Sequence, residues 1–200
     1  MSYAKHNHII NEYAQRSACN MVDTLAMVQL SIQQTWYGVG DQMADWREHG
    51  IHSKFVWGGK AEALAYALEN KYSLYAEAME FKDDPAALMA VFLQVPNLGL
   101  VKAGFMCQLF SGGVGCLDLH NLRNYNVPKG LTTYNKGATA KTRTRKISEY
   151  VTWCAKRRSE FLWNRWCTMV AEKYPNRFAD AEHVSASHVE YLLGGDGNGS

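Results

Sequence analysis

Asp118 is the one acidic residue between Asp84 and Glu149. The chain around it is basic. From Pro85 to Ser148 eight lysines and arginines (Lys102, Arg123, Lys129, Lys136, Lys141, Arg143, Arg145 and Lys146) accompany that single acid, a local charge of +7. The remainder carries −5, so the overall charge of +2 conceals a polarised segment. Such a segment suits an anionic partner, and nucleic acid is the commonest; the alternative is a solvated basic loop. The isolated carboxylate itself has two readings. It precedes Leu119-His120-Asn121-Leu122, a candidate helix start, and so qualifies as an N-cap. A carboxylate can also stabilise developing positive charge or orient a water for attack. His120 and Asn121 stand next to it, placed to orient it or to touch a ligand, although His120 equally suits a structural histidine. Further upstream, Gln33 and Gln34 precede Thr35-Trp36 at the end of an apolar helical stretch. They read either as a solvated last turn or, with Trp36, as the lining of a pocket that probes a base.

These residues need elements to hold them. The stretch 88–125 reads as helix, tight turn, helix, Gly-rich loop and then the carboxylate. Asp84 as N-cap and Pro85 at the first helical position start a helix over 85–94. Pro96 stops it, because proline lacks an N–H and restricts the residue before it. Asn97 and Gly99 tolerate the dihedrals of a tight turn. Apolar spacing resumes at Leu100, Ala103, Phe105, Met106 and Leu109, then Gly112, Gly113 and Gly115 break it.

Helical periodicity covers most of what remains. Residues 3–37 read as helical, with Asn11 and Ser17 as candidate interruptions. A short helix is expected at 41–48 in the Gly-rich stretch 38–60, whose His49, His52, Phe55 and Trp57 read as a cluster that contacts a ligand or, the preferred reading, as side chains sealing a loop onto the core. Residues 60–80 read as one Ala/Leu-rich helix, 147–174 as one long helix ended by Pro175, and 181–193 as a final short one. Residues 126–146 read as an irregular basic loop, and 194–200 as a disordered polar tail. No alternating strand of any length stands out, so the class is all-α. At 200 residues and 47% hydrophobic content the chain suffices for one domain, here 1–193. Cys19, Cys107, Cys116, Cys154 and Cys167 are odd in number and lack C-x-x-C or Cys/His ligand spacing. Reduced thiols in a cytoplasmic protein are expected, with no metal and no cofactor. The first residues carry no signal-peptide pattern, and no run of about 18 apolar residues predicts a membrane span.

Val95-Pro96-Asn97-Leu98-Gly99-Leu100-Val101-Lys102-Ala103 resembles the L-P-G-V-G-x-x-T-A hairpin of the helix-hairpin-helix DNA glycosylases. Asp118-Leu119-His120, after Gly115-Cys116-Leu117, is similar to the V-D-x-H segment that follows that hairpin. The two motifs cover about 30 residues. The resemblance implies a helix-hairpin-helix glycosylase-like fold of two helical lobes with a cleft between them. It implies that Asn97, Leu98, Gly99 and Lys102 grip a DNA backbone, that His120 and Asn121 add contacts, and that Asp118 is the catalytic carboxylate. The run Lys141, Arg143, Arg145 and Lys146 would add phosphate contacts. Four departures stand out, one being an interval from hairpin to Asp118 that is slightly short for the family. Asn97 replaces the first hairpin glycine, and the iron–sulfur cysteines of some relatives are absent. Lyase members carry their lysine where this chain has Val101, with Lys102 one residue later, about 100° round a helix; Lys102 is thus a second candidate catalytic residue, by Schiff-base chemistry, with a phosphate contact as the alternative role.

The activity implied is that of a monomeric, monofunctional DNA N-glycosylase that flips a modified or mismatched base out of the duplex. Its setting would be a prokaryotic or phage-infected cytoplasm. Two alternatives stay open. Some bacteriophage proteins of this fold resemble transferases that hypermodify thymine in DNA, displacing an activated pyrophosphate by an amine or amino acid. The other is a non-catalytic hairpin DNA-binding protein. Under all three, binding should weaken steeply with salt, because phosphate contacts dominate it. A titration that leaves affinity independent of salt would remove the basic tract as a DNA surface.

Overall fold

The computed structural model describes residues 2–32, 34–118, 121–122, 125–128, 130–135, 137–157 and 159–194. Gln33, His120 and the expected tail over 195–200 lie outside the described residues. Among the described residues ten α-helices follow in order: α1 (Ser2–Arg16), α2 (Ala18–Leu30), α3 (Val39–His49), α4 (Gly59–Glu69), α5 (Lys71–Glu80), α6 (Pro85–Phe92), α7 (Leu100–Phe110), α8 (Ala140–Ala155), α9 (Ser159–Lys173) and α10 (Ala181–Leu193). No strand occurs among the described residues, so the protein is all-α. No helix there is long and apolar enough to cross a membrane. The five cysteines are free thiols.

Local chemistry explains most boundaries. Ser17 separates α1 from α2, its Oγ accepting from Asn20 N at 3.2 Å as an N-cap. Asp84 caps α6 with Oδ1 3.0 and 3.1 Å from the amides of Ala86 and Ala87, and Pro85 takes the first position. Asp180 caps α10 at His183 N. Three expectations change. Asn11 lies within α1 and does not interrupt it. The stretch 60–80 is two helices that break at Asn70 (φ −106°, ψ 15°). The basic run 140–146 is helical and forms the start of α8, while the expected long helix ends at Ala155 and resumes at Ser159. Thr139 explains that early start, since its Oγ1 accepts from Thr142 N at 3.3 Å. Arg145 and Lys146 then pair with Glu149 one turn on, at 3.4 and 3.3 Å.

α2 runs through the middle. Every residue from Thr24 to Leu30 is buried, because α1, α3, α4, α5, α7 and α10 surround it. This second half of α2 is apolar apart from Thr24 and Gln29, as a helix segment enclosed on all sides should be. One contiguous core draws side chains from all ten helices. α1 ties down α7 by a polar device. Asn7, Asn11 and Gln15 recur every four residues on one face of α1. Their amides donate to the carbonyls of Gln108 (3.5 and 3.2 Å), Leu109 (2.6 Å) and Phe110 (2.5 Å). These carbonyls lie at the end of α7, where helix N–H partners run out; Gln108 O accepts from Gly112 N as well (3.1 Å).

α9 and α10 close the core with an aromatic layer. His188 stacks on Trp36 (centroids 3.9 Å apart), with Trp163 at 4.2 Å and Trp166 at 5.3 Å. The two serines of α10 serve the indoles: Trp36 Nε1 donates to Ser187 Oγ (2.7 Å) and Trp163 Nε1 to Ser185 Oγ (3.0 Å). His188 is fully buried, with Nδ1–H directed at Val184 O (3.0 Å). Burial pushes its pKa down to about 3, against a smaller upward pull from that hydrogen bond.

The unfolded chain therefore protonates His188 below its ordinary value of 6.5, whereas the native state stays neutral down to about 3. Stability must fall as the pH drops through that window, by about 2 kcal/mol from this group between roughly pH 6.5 and 5. Urea unfolding at both pH values should show the loss in the parent and a flatter acid limb in His188→Leu.

Candidate functional site

The hairpin has the geometry its residues dictate. Val95-Pro96-Asn97-Leu98 is a turn closed by Leu98 N donating to Val95 O (3.3 Å). Asn97 has φ 62°, the left-handed value that type II turns need after proline. Its Nδ2 donates to Glu62 Oε2 (2.7 Å) and Gly59 O (3.3 Å), which fastens the turn to α4. Gly99 is extended and no side chain caps α7 behind it. Leu98 is buried in the core, so this position can offer a partner only backbone.

Lys102 lies in the first turn of α7 and is half-buried. Its Nζ donates to Asn97 O (3.3 Å) and Gln29 Oε1 (3.4 Å). Burial lowers its pKa, and the nearby Lys60 lowers it further. A lysine in this state gives up its proton more readily than one in water.

The loop from Gly112 to Asp118 is held rigidly. Gly112 takes φ 76° where α7 ends. Tyr150, fully buried on α8, then reaches under Gly104 of α7; a Cβ at Gly104 would sit 2.5 Å from its Oη. That hydroxyl accepts from Leu117 N (2.9 Å) and donates to Gly115 O (3.0 Å). Gln108 Oε1 accepts from Cys116 N (3.1 Å), and Asn121 Nδ2 donates to Cys116 O (2.8 Å). Asp118 follows directly. Its Oδ1 accepts from Asn121 N (2.9 Å) and its carbonyl from Leu122 N (2.8 Å). The carboxylate is thus an N-cap, held in one position by the turn that it starts.

Asp118 lines a cavity of about 610 Å³. α7 supplies Val101, Lys102, Phe105 and Gln108 to its wall, and α9 supplies Trp163, Trp166 and Lys173. Of the residues singled out in the sequence, Gln34, Trp36, Lys102, Asp118 and Asn121 meet here. Lys102 lines the cavity despite its offset from the lyase position, and Val101 does so too. Gln34 is exposed. Trp36 is 4% exposed and already packed on His188, so it forms wall and not a free stacking face. Asn121 is buried and bonded to the loop, a positioning role and not a surface contact. Asn97, Leu98 and Gly99 lie outside the lining, at the turn that Lys102 joins to it. Lys141, Arg143, Arg145 and Lys146 do not line it either; Lys146 borders a separate recess with Tyr134 and Thr142.

Trp163, Trp166, Phe105 and Lys173 were not expected at a site. The i, i+3 spacing of the two tryptophans was their only signal, and it reads equally as core packing. No family model, no curated protein and no solved structure matches the chain.

Tyr150→Phe removes the hydroxyl, which leaves Leu117 N buried without that acceptor and Gly115 O with the Cys154 thiol (3.6 Å). A buried group left unpaired costs about 1–3 kcal/mol, so the melting temperature should drop by several degrees while the helical circular dichroism signal stays. A melt equal to the parent's would mean that the loop does not depend on this clamp.

Proposed function

We propose that the protein binds DNA and hydrolyses the N-glycosidic bond of a flipped base, with Asp118 as the catalytic carboxylate. One observation carries the reading: a single rigidly positioned carboxylate shares the wall of an aromatic-lined cavity with Lys102, which is hydrogen-bonded to the uncapped hairpin. The cavity's size falls within the range of about 300–1,000 Å³ usual for small-molecule sites. Its aromatic walls suit a flat heterocycle. Lys102 and Lys173, on the same walls, suit the phosphates that flank it.

The roles follow from the chemistry. Extrusion of a base brings its sugar to the mouth of the cavity. As the bond between the sugar C1′ and the base nitrogen breaks, the electron pair leaves with the base and positive charge grows on the sugar. The Asp118 carboxylate stabilises that charge and orients the water whose oxygen bonds to C1′; the proton that water loses is taken up by the carboxylate and passes to the departing base nitrogen, which leaves as the neutral base. The Asn121 amide and the Tyr150 clamp keep the carboxylate from turning away. The first turn of α7 supplies free N–H groups to a backbone phosphate. DNA is the partner in this reading, and the protein acts as a monomer.

Asp118→Asn tests it cleanly. Asparagine caps a helix about as well as aspartate, so the variant keeps the Asn121 contact and loses only the charge. DNA carrying a panel of altered bases, analysed by mass for both strand and released base, should show a free base and an abasic strand with the parent. The variant should fall by about 100-fold or more at unchanged DNA affinity. An intact strand of altered mass would instead identify the thymine-modifying transferase. Full biological activity of the variant would leave only a non-catalytic binding protein.

A further inference from the structure

Two turns meet beside the cavity. Trp57-Gly58-Gly59-Lys60 leads into α4, and the hairpin leads into α7. Asn97 joins them through its bond to Gly59 O, and a Cβ on Gly59 would lie 3.1 Å from the Asn97 side chain. Three features of this junction have no explanation in packing. Trp57, expected to seal its loop onto the core, keeps 66% of its surface exposed. Lys60 and Lys102 are both half-buried, and no described carboxylate forms an ion pair with either. The acid beside them, Glu62, gives its carboxylate to Asn97. Burial lowers the pKa of both lysines, and Lys60 adds to the effect on Lys102. The third feature is Gln29. It is fully buried, its Oε1 accepts from Lys102, and its Nε2 has no partner. Buried donors left unpaired are rare.

Two partly desolvated cations with no acid between them answer to an anion. An exposed indole beside them carries Lys60 Nζ over one face of its ring, 5.8 Å from the centroid, and its remaining exposed surface answers to a flat π-face. Phosphate and base occur together at that spacing in a nucleic acid. We propose that the Trp57–Lys60 turn is a second nucleic-acid contact, in which Lys60 and Lys102 share one backbone phosphate and the Trp57 indole stacks on a neighbouring unstacked base. This rests on the DNA reading above, but not on its chemistry. The phosphate relieves the repulsion between the two lysines. Stacking on an indole is indifferent to base identity, because every base has a π-face.

The probes are a fluorescein-labelled 20-base-pair duplex and the same duplex with a central one-nucleotide gap, which exposes two base faces. Binding is measured by anisotropy across a salt series. The parent should prefer the gapped duplex. Trp57→Ala should abolish that preference, a loss of roughly 5- to 150-fold on gapped DNA, with the salt slope unchanged. Lys60→Met should lower the magnitude of the salt slope by about 1 on both duplexes and keep the gap preference. Trp57 is exposed and Lys60 stands at a helix start, and thermal melts verify that both variants fold. Parent-like binding by both overturns the proposal, as does a slope change with Trp57→Ala or none with Lys60→Met. Base release by such parent-like variants would leave the glycosylase reading standing. Conversely, the expected binding pattern without release of any base retains this contact and removes the glycosylase. Absence of DNA binding by the parent at low salt overturns both.

Discussion

The Tyr150 hydroxyl connects the core to the loop that leads to Asp118. It lies in the one place where α7 lacks a side chain, at Gly104, and from there it makes two bonds to the backbone that carries Asp118. Glycine in a helix interior is unfavourable by roughly 0.5–1 kcal/mol relative to alanine. The position repays that by admitting a phenol no Cβ would allow. A second glycine has the same function one layer out, since a Cβ at Gly115 would run into Leu162 of α9. The loop is therefore pressed between α7, α8 and α9 with its polar groups answered by Tyr150, Gln108 and Asn121. A loop satisfied in this way behaves as part of the scaffold, as a preorganised charge requires.

The boundaries that could be read from the chain are those set by local chemistry. Asp84-Pro85 starts a helix, Pro96-Asn97 turns and Gly112 ends a helix, each because a dihedral or a missing donor leaves few alternatives. The errors have a common cause, which is tertiary context. Residues 139–146 look irregular because threonine is a weak helix former. Downstream, Ile147, Tyr150 and Cys154 bury one face of the same helix and extend it back to the Thr139 cap. Asn70 breaks a stretch that periodicity alone would continue, because α4 and α5 both have to pack on α2.

The candidate site was legible to a similar depth. Asp118 stood out through charge and Lys102 through its place after the hairpin; both rest on short-range features. Trp163, Trp166 and Lys173 arrive from a helix more than 40 residues later in the chain. Nothing in their own neighbourhood distinguishes a tryptophan on a cavity wall from one in the core. Here they are partly both, since Trp163 touches His188 beneath and borders the cavity above.

Charge placement shows why one basic tract should not be read as one surface. Lys102 belongs to the cavity, whereas Lys141, Arg143, Arg145 and Lys146 sit on the first turns of α8, and two of those four are paired with Glu149. Exposed pairs of this kind are worth little, and salt screens them. Lys60, outside the tract in sequence, is the cation that acts on Lys102. The electrostatics that matter at the junction come from two half-buried ammonium groups sharing one environment. Their mutual repulsion and lost hydration both favour the neutral form. Folding must supply that energy from elsewhere, and Lys102 bonds to Gln29 in the buried stretch 24–30 of α2, part of the hydrophobic core. A fold that keeps both lysines in this position holds a charge arrangement that is unfavourable alone and becomes favourable once an anion enters it.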